Sequence, residues 1–290
     1  LTKYHRPKGA ALVRIGVLLA LFVVAAILPD VATGETGLVG EPALSASGLV
    51  IPSRLPNFHR IPVTLQLRFR FEGSDHGTTP ELTSIALDVS RNVALQTEGL
   101  PSCPLARLYS SYASPRQTCA GSLIGHGGVI SEVTLPGQAP TMVDGRLLAF
   151  YNFAEGQPHI LAQVTSTGAL PLTYVIPFQI ERTRGAFGTR LQVRKMSNIQ
   201  GKCTRNHPNC FAQPYRLKGI YGHISNFELS LHRLFVHGGK RESFVSADCP
   251  ARGHQAIAGS QFEVSVSYEQ GAALGGESAT TLRRCRAAGA

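Results

Sequence analysis

The residues with the most distinctive chemistry in this chain are its six cysteines. They lie in close pairs along the sequence: Cys103 with Cys119, Cys203 with Cys210, and Cys249 with Cys285. Two of them open Cys-Pro corners, Gly99-Leu100-Pro101-Ser102-Cys103-Pro104 and Ser246-Ala247-Asp248-Cys249-Pro250, each after a strand-like run. In an oxidising compartment an even number of cysteines reads as a disulfide framework, although spacing alone does not choose among the pairings that six allow. Locality favours Cys103–Cys119, Cys203–Cys210 and Cys249–Cys285. Closing a loop of about 15 residues is worth ~3 kcal/mol in the chain-entropy model. That suits the first pair as a staple at the end of a β-unit, whereas the short Cys203–Cys210 loop fixes local shape.

Other chemistry is thinner. His207 lies between Cys203 and Cys210, so a Cys/Cys/His metal site is conceivable, but on an exported loop disulfide formation takes precedence. The ten histidines form no His-x-x-x-His pair, and His232 and His237 flank Leu234-Phe235-Val236 as surface residues of a hairpin. No metal site is therefore assigned. Gly121-Ser122-Leu123-Ile124-Gly125 lacks the spacing of a nucleophile elbow, and no phosphate loop is present, so no cofactor is expected. Paired acids could support glycoside hydrolysis, with Asp75, Glu81, Asp88, Asp144, Glu155, Glu228, Asp248 and Glu263 as candidates. Asp88, Glu228 and Glu263 fall on the polar faces of alternating runs, where a solvated sheet places acids anyway. Asp75 and His76 sit in a turn that could touch a ligand, and Asx-turn chemistry explains Asp75 equally well. No catalytic residue is singled out.

The elements that would carry these residues are strands. Val63 to Phe71 alternates apolar and polar residues without a break, the signature of a strand with one face in the core. Further strands are expected at 82–89, 93–97, 129–135, 147–153, 159–165, 172–180, 189–195, 226–231, 243–247, 262–268 and 280–284. Glycines 125, 127 and 128 suggest a bulged or bent strand. Pro171 and Pro177 suggest an edge or interrupted strand, and His237-Gly238-Gly239 a hairpin turn. One short helix fits residues 104–111. The fold class is all-β, an antiparallel β-sandwich with little helix. Strand, turn, strand, strand, Cys-Pro describes 63–104 and again 189–250, which suggests two similar stapled β-units, 60–180 and 181–290, with a boundary near 181–187. Residues 35–59, rich in Gly, Pro and Ser, read as a flexible linker.

The N-terminus reads as an export signal. Basic residues Lys3, Arg6, Lys8 and Arg14 precede the uncharged apolar run Ile15–Leu28, and Ala32-Thr33-Gly34 offers a small-x-small cleavage site. Residues 1–34 are thus a signal peptide, or a signal anchor if residues 10–28 are retained in the membrane with Arg14 at the interface. The net charge is +10, and a basic excess persists without residues 1–34. Scattered mostly singly along the chain, the basic residues read first as general solubility, with weak contact with polyanions such as anionic envelope polymers or nucleic acid as the alternative. No basic stripe with interleaved aromatics or recognised motif points to specific nucleic-acid binding.

Several of these residues carry a resemblance. Pro80-Glu81-Leu82, Gly99-Leu100-Pro101-Ser102-Cys103, Cys119 with Gly125-His126-Gly127, Leu148-Ala149-Phe150-Tyr151-Asn152, Phe187-Gly188-Thr189 and Cys249-Pro250 follow in that order. Over most of residues 60–285 the chain resembles a family of uncharacterised secreted proteins of actinobacteria. The resemblance implies export and a β fold, and it implies no catalytic residues. The Cys203–Cys210 loop departs from the family pattern. Together these readings lead to the expectation of an exported, non-enzymatic β-sandwich protein that serves as a binding or envelope-associated module. The alternatives are a secreted hydrolase of glycan or ester bonds and a membrane-anchored envelope protein.

Overall fold

The computed structural model describes residues 42–73, 80–108, 114–134, 137–166, 173–196, 221–250, 257–270 and 273–287. The signal segment, Asp75, His76 and the Cys203–His207–Cys210 loop lie outside the described residues. The strands in chain order are β1 (Ala43–Ile51), β2 (Arg54–Leu55), β3 (Ile61–Pro62), β4 (Thr64–Glu72), β5 (Glu81–Ser90), β6 (Val93–Leu95), β7 (Leu123–Thr134), β8 (Thr141–Ala154) and β9 (Gln157–Ser166). They continue as β10 (Thr173–Arg182), β11 (Phe187–Val193), β12 (Tyr221–Leu231), β13 (Leu234–His237), β14 (Lys240–Ser243), β15 (Val245–Ala247), β16 (Ile257–Gln270) and β17 (Ala273–Ala287). Two short helices, α1 (Leu105–Leu108) and α2 (Pro115–Thr118), precede β7. The all-β class expected from the sequence is what the chain adopts.

The alternation in β4 is used as its period demands. Leu65, Leu67, Phe69 and Phe71 are buried while Arg68 and Arg70 face solvent. This strand belongs to a 12-stranded sheet of order β1-β4-β12-β7-β8-β9-β10-β11-β5-β16-β17-β2, antiparallel except for β17 and β2. The sheet folds over on itself into a sandwich-like body. Phe178 of β10 meets Phe227 of β12 at 5.5 Å, and Phe71 of β4 meets Tyr268 of β16 at 5.5 Å, although neither pair of strands is adjacent in the sheet. One core fills the space between the two halves. A small sheet, β3-β15-β6, stands apart from the large one in its hydrogen bonding, as does the β13–β14 hairpin.

Two expectations are corrected here. The linker expected at 35–59 contains β1 and β2 within its described part. In Ala43-Leu44-Ser45-Ala46-Ser47-Gly48-Leu49-Val50-Ile51, Leu44 and Val50 are buried and β1 pairs with β4 along its full length. The alternation is masked in the sequence because small residues hold the other inward positions. Gly48 is there for contact: a Cβ at this residue would stand 2.2 Å from Phe262 Cγ. The second correction concerns the two β-units. The boundary expected at 181–187 falls at the hairpin joining β10 to β11, and β12 inserts between β4 and β7 while β16 pairs with β5. Strands from both halves alternate in one sheet, so no second unit begins there.

Other local readings hold. The β7–β8 ladder shifts register between Leu123 and Gly125. Gly238 and Gly239 both adopt positive φ, 56° and 76°, at the β13–β14 turn, where L-residues are disfavoured. Pro177 lies in a sheet-interior strand, but the β10–β11 ladder reaches only Gln179, so its missing N–H falls where β10 is paired on one side.

Candidate functional site

Each described cysteine pair is joined as locality suggested, Cys103 to Cys119 and Cys249 to Cys285, with Cα atoms 5.6 and 5.7 Å apart. The first bridge holds α1 and α2 onto the outer face of the sheet, where Cys103, Leu108, Cys119, Phe150, Leu161 and Val175 form a small second core. Asn152 Nδ2 donates to the Cys103 carbonyl at 2.9 Å, and the Phe153 N–H donates to Ser102 Oγ at 2.9 Å. Two of the short motifs, Pro101-Ser102-Cys103 and Tyr151-Asn152, are therefore one structural joint.

Two of the candidate acids, Asp88 and Glu263, come together in one place. Glu181, Arg190, Asp88 and Glu263 form a row across β10, β11, β5 and β16, each opposite the next. Asp88 and Glu263 are thus side by side, as a pair of hydrolytic carboxylates would be. Their oxygens are already engaged. Asp88 is 1% exposed and takes both bonds of the Arg190 guanidinium, at 2.9 and 2.8 Å. That hydrogen bond raises the Arg190 pKa, with burial acting the other way. Glu263 accepts from Ser265 at 3.3 Å and Thr280 at 3.2 Å. Elsewhere Glu228 pairs with Arg68 at 2.7 Å. The acids act here as ladder partners of the outer face. A cavity of about 20 Å³ opens between β1 and β17, lined by Leu49, Val50, Phe262, Arg283 and Cys285, which is room for about one water.

A second constellation was not legible as a cluster in the sequence. It gathers around the Cys249–Cys285 bridge. Arg284 and Arg286 flank Cys285 on the outer face of β17, two residues apart and both exposed. Arg54 of β2 stands directly opposite Arg286 in the parallel pair. The chain on either side of β2 crosses this corner and is tied down at both ends: the Arg286 N–H donates to Ser53 O at 3.0 Å, before β2, and the Cys249 N–H to Pro56 O at 2.8 Å, after it, in the loop from β2 to β3. Arg60, at the end of that loop, donates to the Arg91 carbonyl at 3.0 Å and meets Asp248 at 3.7 Å. Buried Asn92 braces the far side, donating to Asp248 O at 2.6 Å and to Ser260 Oγ at 2.9 Å. Asp248 is the acid built into this corner. Among the described residues no carboxylate pairs with Arg54, Arg91 or Arg286. Phe58 projects from the same loop, 90% exposed.

Like charges placed directly opposite in a ladder are destabilising. Arg54 facing Arg286 therefore has an unfavourable self-energy that an anion would relieve. Guanidinium forks suit phosphate and carboxylate groups bidentately, and every cation in this corner is arginine. The signal in the sequence was the pair Arg284 and Arg286 at strand spacing; their neighbours Arg54, Arg60 and Arg91 are too distant along the chain to be joined without the topology.

Among the histidines singled out from the sequence, His237 packs at the hairpin, its ring 2.4 Å from where a Cβ on Gly99 would stand. His232, exposed at the other end of β13, stands against His126 of β7. No family model matches the chain, and no curated protein or solved structure matches it.

Proposed function

We propose that this chain is an exported, non-enzymatic β-sandwich protein, a binding or cell-envelope-associated module whose arginine corner takes an anionic polymer. The observation that carries this reading is the corner itself: exposed Arg54, Arg91 and Arg286 around a stapled, braced junction, with Phe58 presented beside them. The two described disulfides fit an oxidising compartment. Among the described residues no helix is long and apolar enough to cross a membrane. The resemblance to uncharacterised secreted actinobacterial proteins agrees with export. The adjacent carboxylates speak against a hydrolase because both are committed to hydrogen bonds within the outer face.

The test is titration of the purified protein with a soluble polyphosphate and with a polycarboxylate of matched charge, over a range of salt. Binding is expected to weaken steeply with salt. The triple variant Arg54→Gln, Arg91→Gln, Arg286→Gln is expected to bind about tenfold more weakly, since an exposed charge contact is worth ~0.2–1 kcal/mol. An unchanged affinity in the triple variant would remove the corner as the binding surface. Release of cleaved product from a glycan or ester substrate would replace the module reading with the hydrolase.

A further inference from the structure

A different feature lies on the β7–β12 part of the sheet. His126 is on the outer face of β7, in register with Ser230 of β12 and Leu148 of β8. His232 follows β12 immediately, and its N–H donates to Ile124 O at 2.8 Å. The two rings stand edge to face with centroids 5.6 Å apart, and both residues are exposed. Their backbones are held firmly. A Cβ on Gly125 would stand 2.2 Å from Ser230 O, and one on Gly127 1.9 Å from Glu228 O, so glycine alone lets β7 lie this close to β12. The motif Gly125-His126-Gly127 thus sets an imidazole at a fixed distance from a second one.

We propose that His126 and His232 form a two-nitrogen chelate for a divalent late transition metal, Cu²⁺ ahead of Zn²⁺. An ion bound about 2 Å from an imidazole nitrogen lies roughly 3 Å from the ring centre, so two imidazoles on one ion stand about 5 Å apart. The observed centroid spacing of 5.6 Å is close to that separation, and the face-on ring must turn to aim a nitrogen at the ion. Neutral imidazole supplies the lone pair, and it binds Cu²⁺ most strongly in the divalent series. Among the described residues no group of three or more histidine, cysteine or carboxylate ligands forms. Water completes the coordination, and the site stays open on the surface.

The experiment is a Cu²⁺ titration of the full chain in competition with free glycine, with the electron paramagnetic resonance spectrum recorded at one equivalent. One ion held through two nitrogens is expected. His126→Gln and His232→Gln should each weaken it at least tenfold, with thermal melting unchanged, and His237→Gln should leave it alone. Retention of the same ion by the His126→Gln/His232→Gln double variant would overturn the proposal. So would failure of the unaltered chain to hold Cu²⁺ against glycine.

Discussion

Asp88 of β5 and Arg190 of β11 face each other directly across the ladder and meet through two parallel hydrogen bonds of 2.9 and 2.8 Å. The carboxylate is 1% exposed, while the guanidinium reaches partly into solvent. Replacing only the arginine leaves a buried charge without a counter-charge. Arg190→Met should cost about 2–4 kcal/mol by chemical denaturation, near the lower part of what breaking a buried pair costs. The double variant Asp88→Leu/Arg190→Met should recover much of that loss. A strictly additive double variant would show that the fork is not a coupled unit.

The Cys249–Cys285 bridge spans 36 residues, and the Cys103–Cys119 bridge 16. Removing either by paired serine substitution is expected to cost about 2–5 kcal/mol. In the chain-entropy model the longer loop adds about 0.7 kcal/mol to its bridge. The Cys249→Ser/Cys285→Ser variant should also weaken polyanion binding, because Pro56, Asp248 and Arg286 are positioned around that bridge. The Cys103→Ser/Cys119→Ser variant should leave binding unchanged. Equal losses of binding in both would point to general unfolding instead.

His223 of β12 carries a pH prediction. Burial holds its pKa below the ordinary 6.5, with Glu81 and Glu132 partly offsetting this, and its Nδ1 is buried with no hydrogen-bond partner among the described residues. The unfolded chain therefore binds a proton more readily than the folded one. Stability contributed by the neutral ring is present above the unfolded value and is lost as pH falls through 6.5 towards the folded value. Urea midpoints at about pH 7.5 and 5.5 should fall for the unaltered chain and fall less for His223→Asn. An identical fall in both would exclude His223 as the cause.

Strand β4 was legible because nothing but alternation occupies it. Strand β1 was not, because Ala46 and Gly48 take inward places where a pattern search wants large apolar residues, and only the Phe262 ring explains the glycine. The two-unit reading failed for a different reason. Local cysteine pairs say which loops are closed, not which strands are neighbours, and β12 lies between β4 and β7 whatever the bridges do. The same limit governs the sites. Asp88 and Glu263 each read as a residue of a polar face, and only the β11–β5–β16 order sets them in a row with Arg190. His126 and His232 meet through the β7–β12 pairing, which no spacing along the chain announces.

The placement of β1 and β17 bears on when the chain can fold. β1 comes early in the described chain, yet it lies against β16 and β17, and β2 has β17 as its partner. Gly48 presses on Phe262, and Arg283 donates to the Gly48 carbonyl at 3.2 Å. The edge of the early strands therefore stays uncovered until residues 257–287 have been made. Contacts this distant along the chain slow folding and leave apolar strand edges open in the meantime. Removing residues 257–287 would leave β1, β2 and β5 without these partners and their apolar faces open.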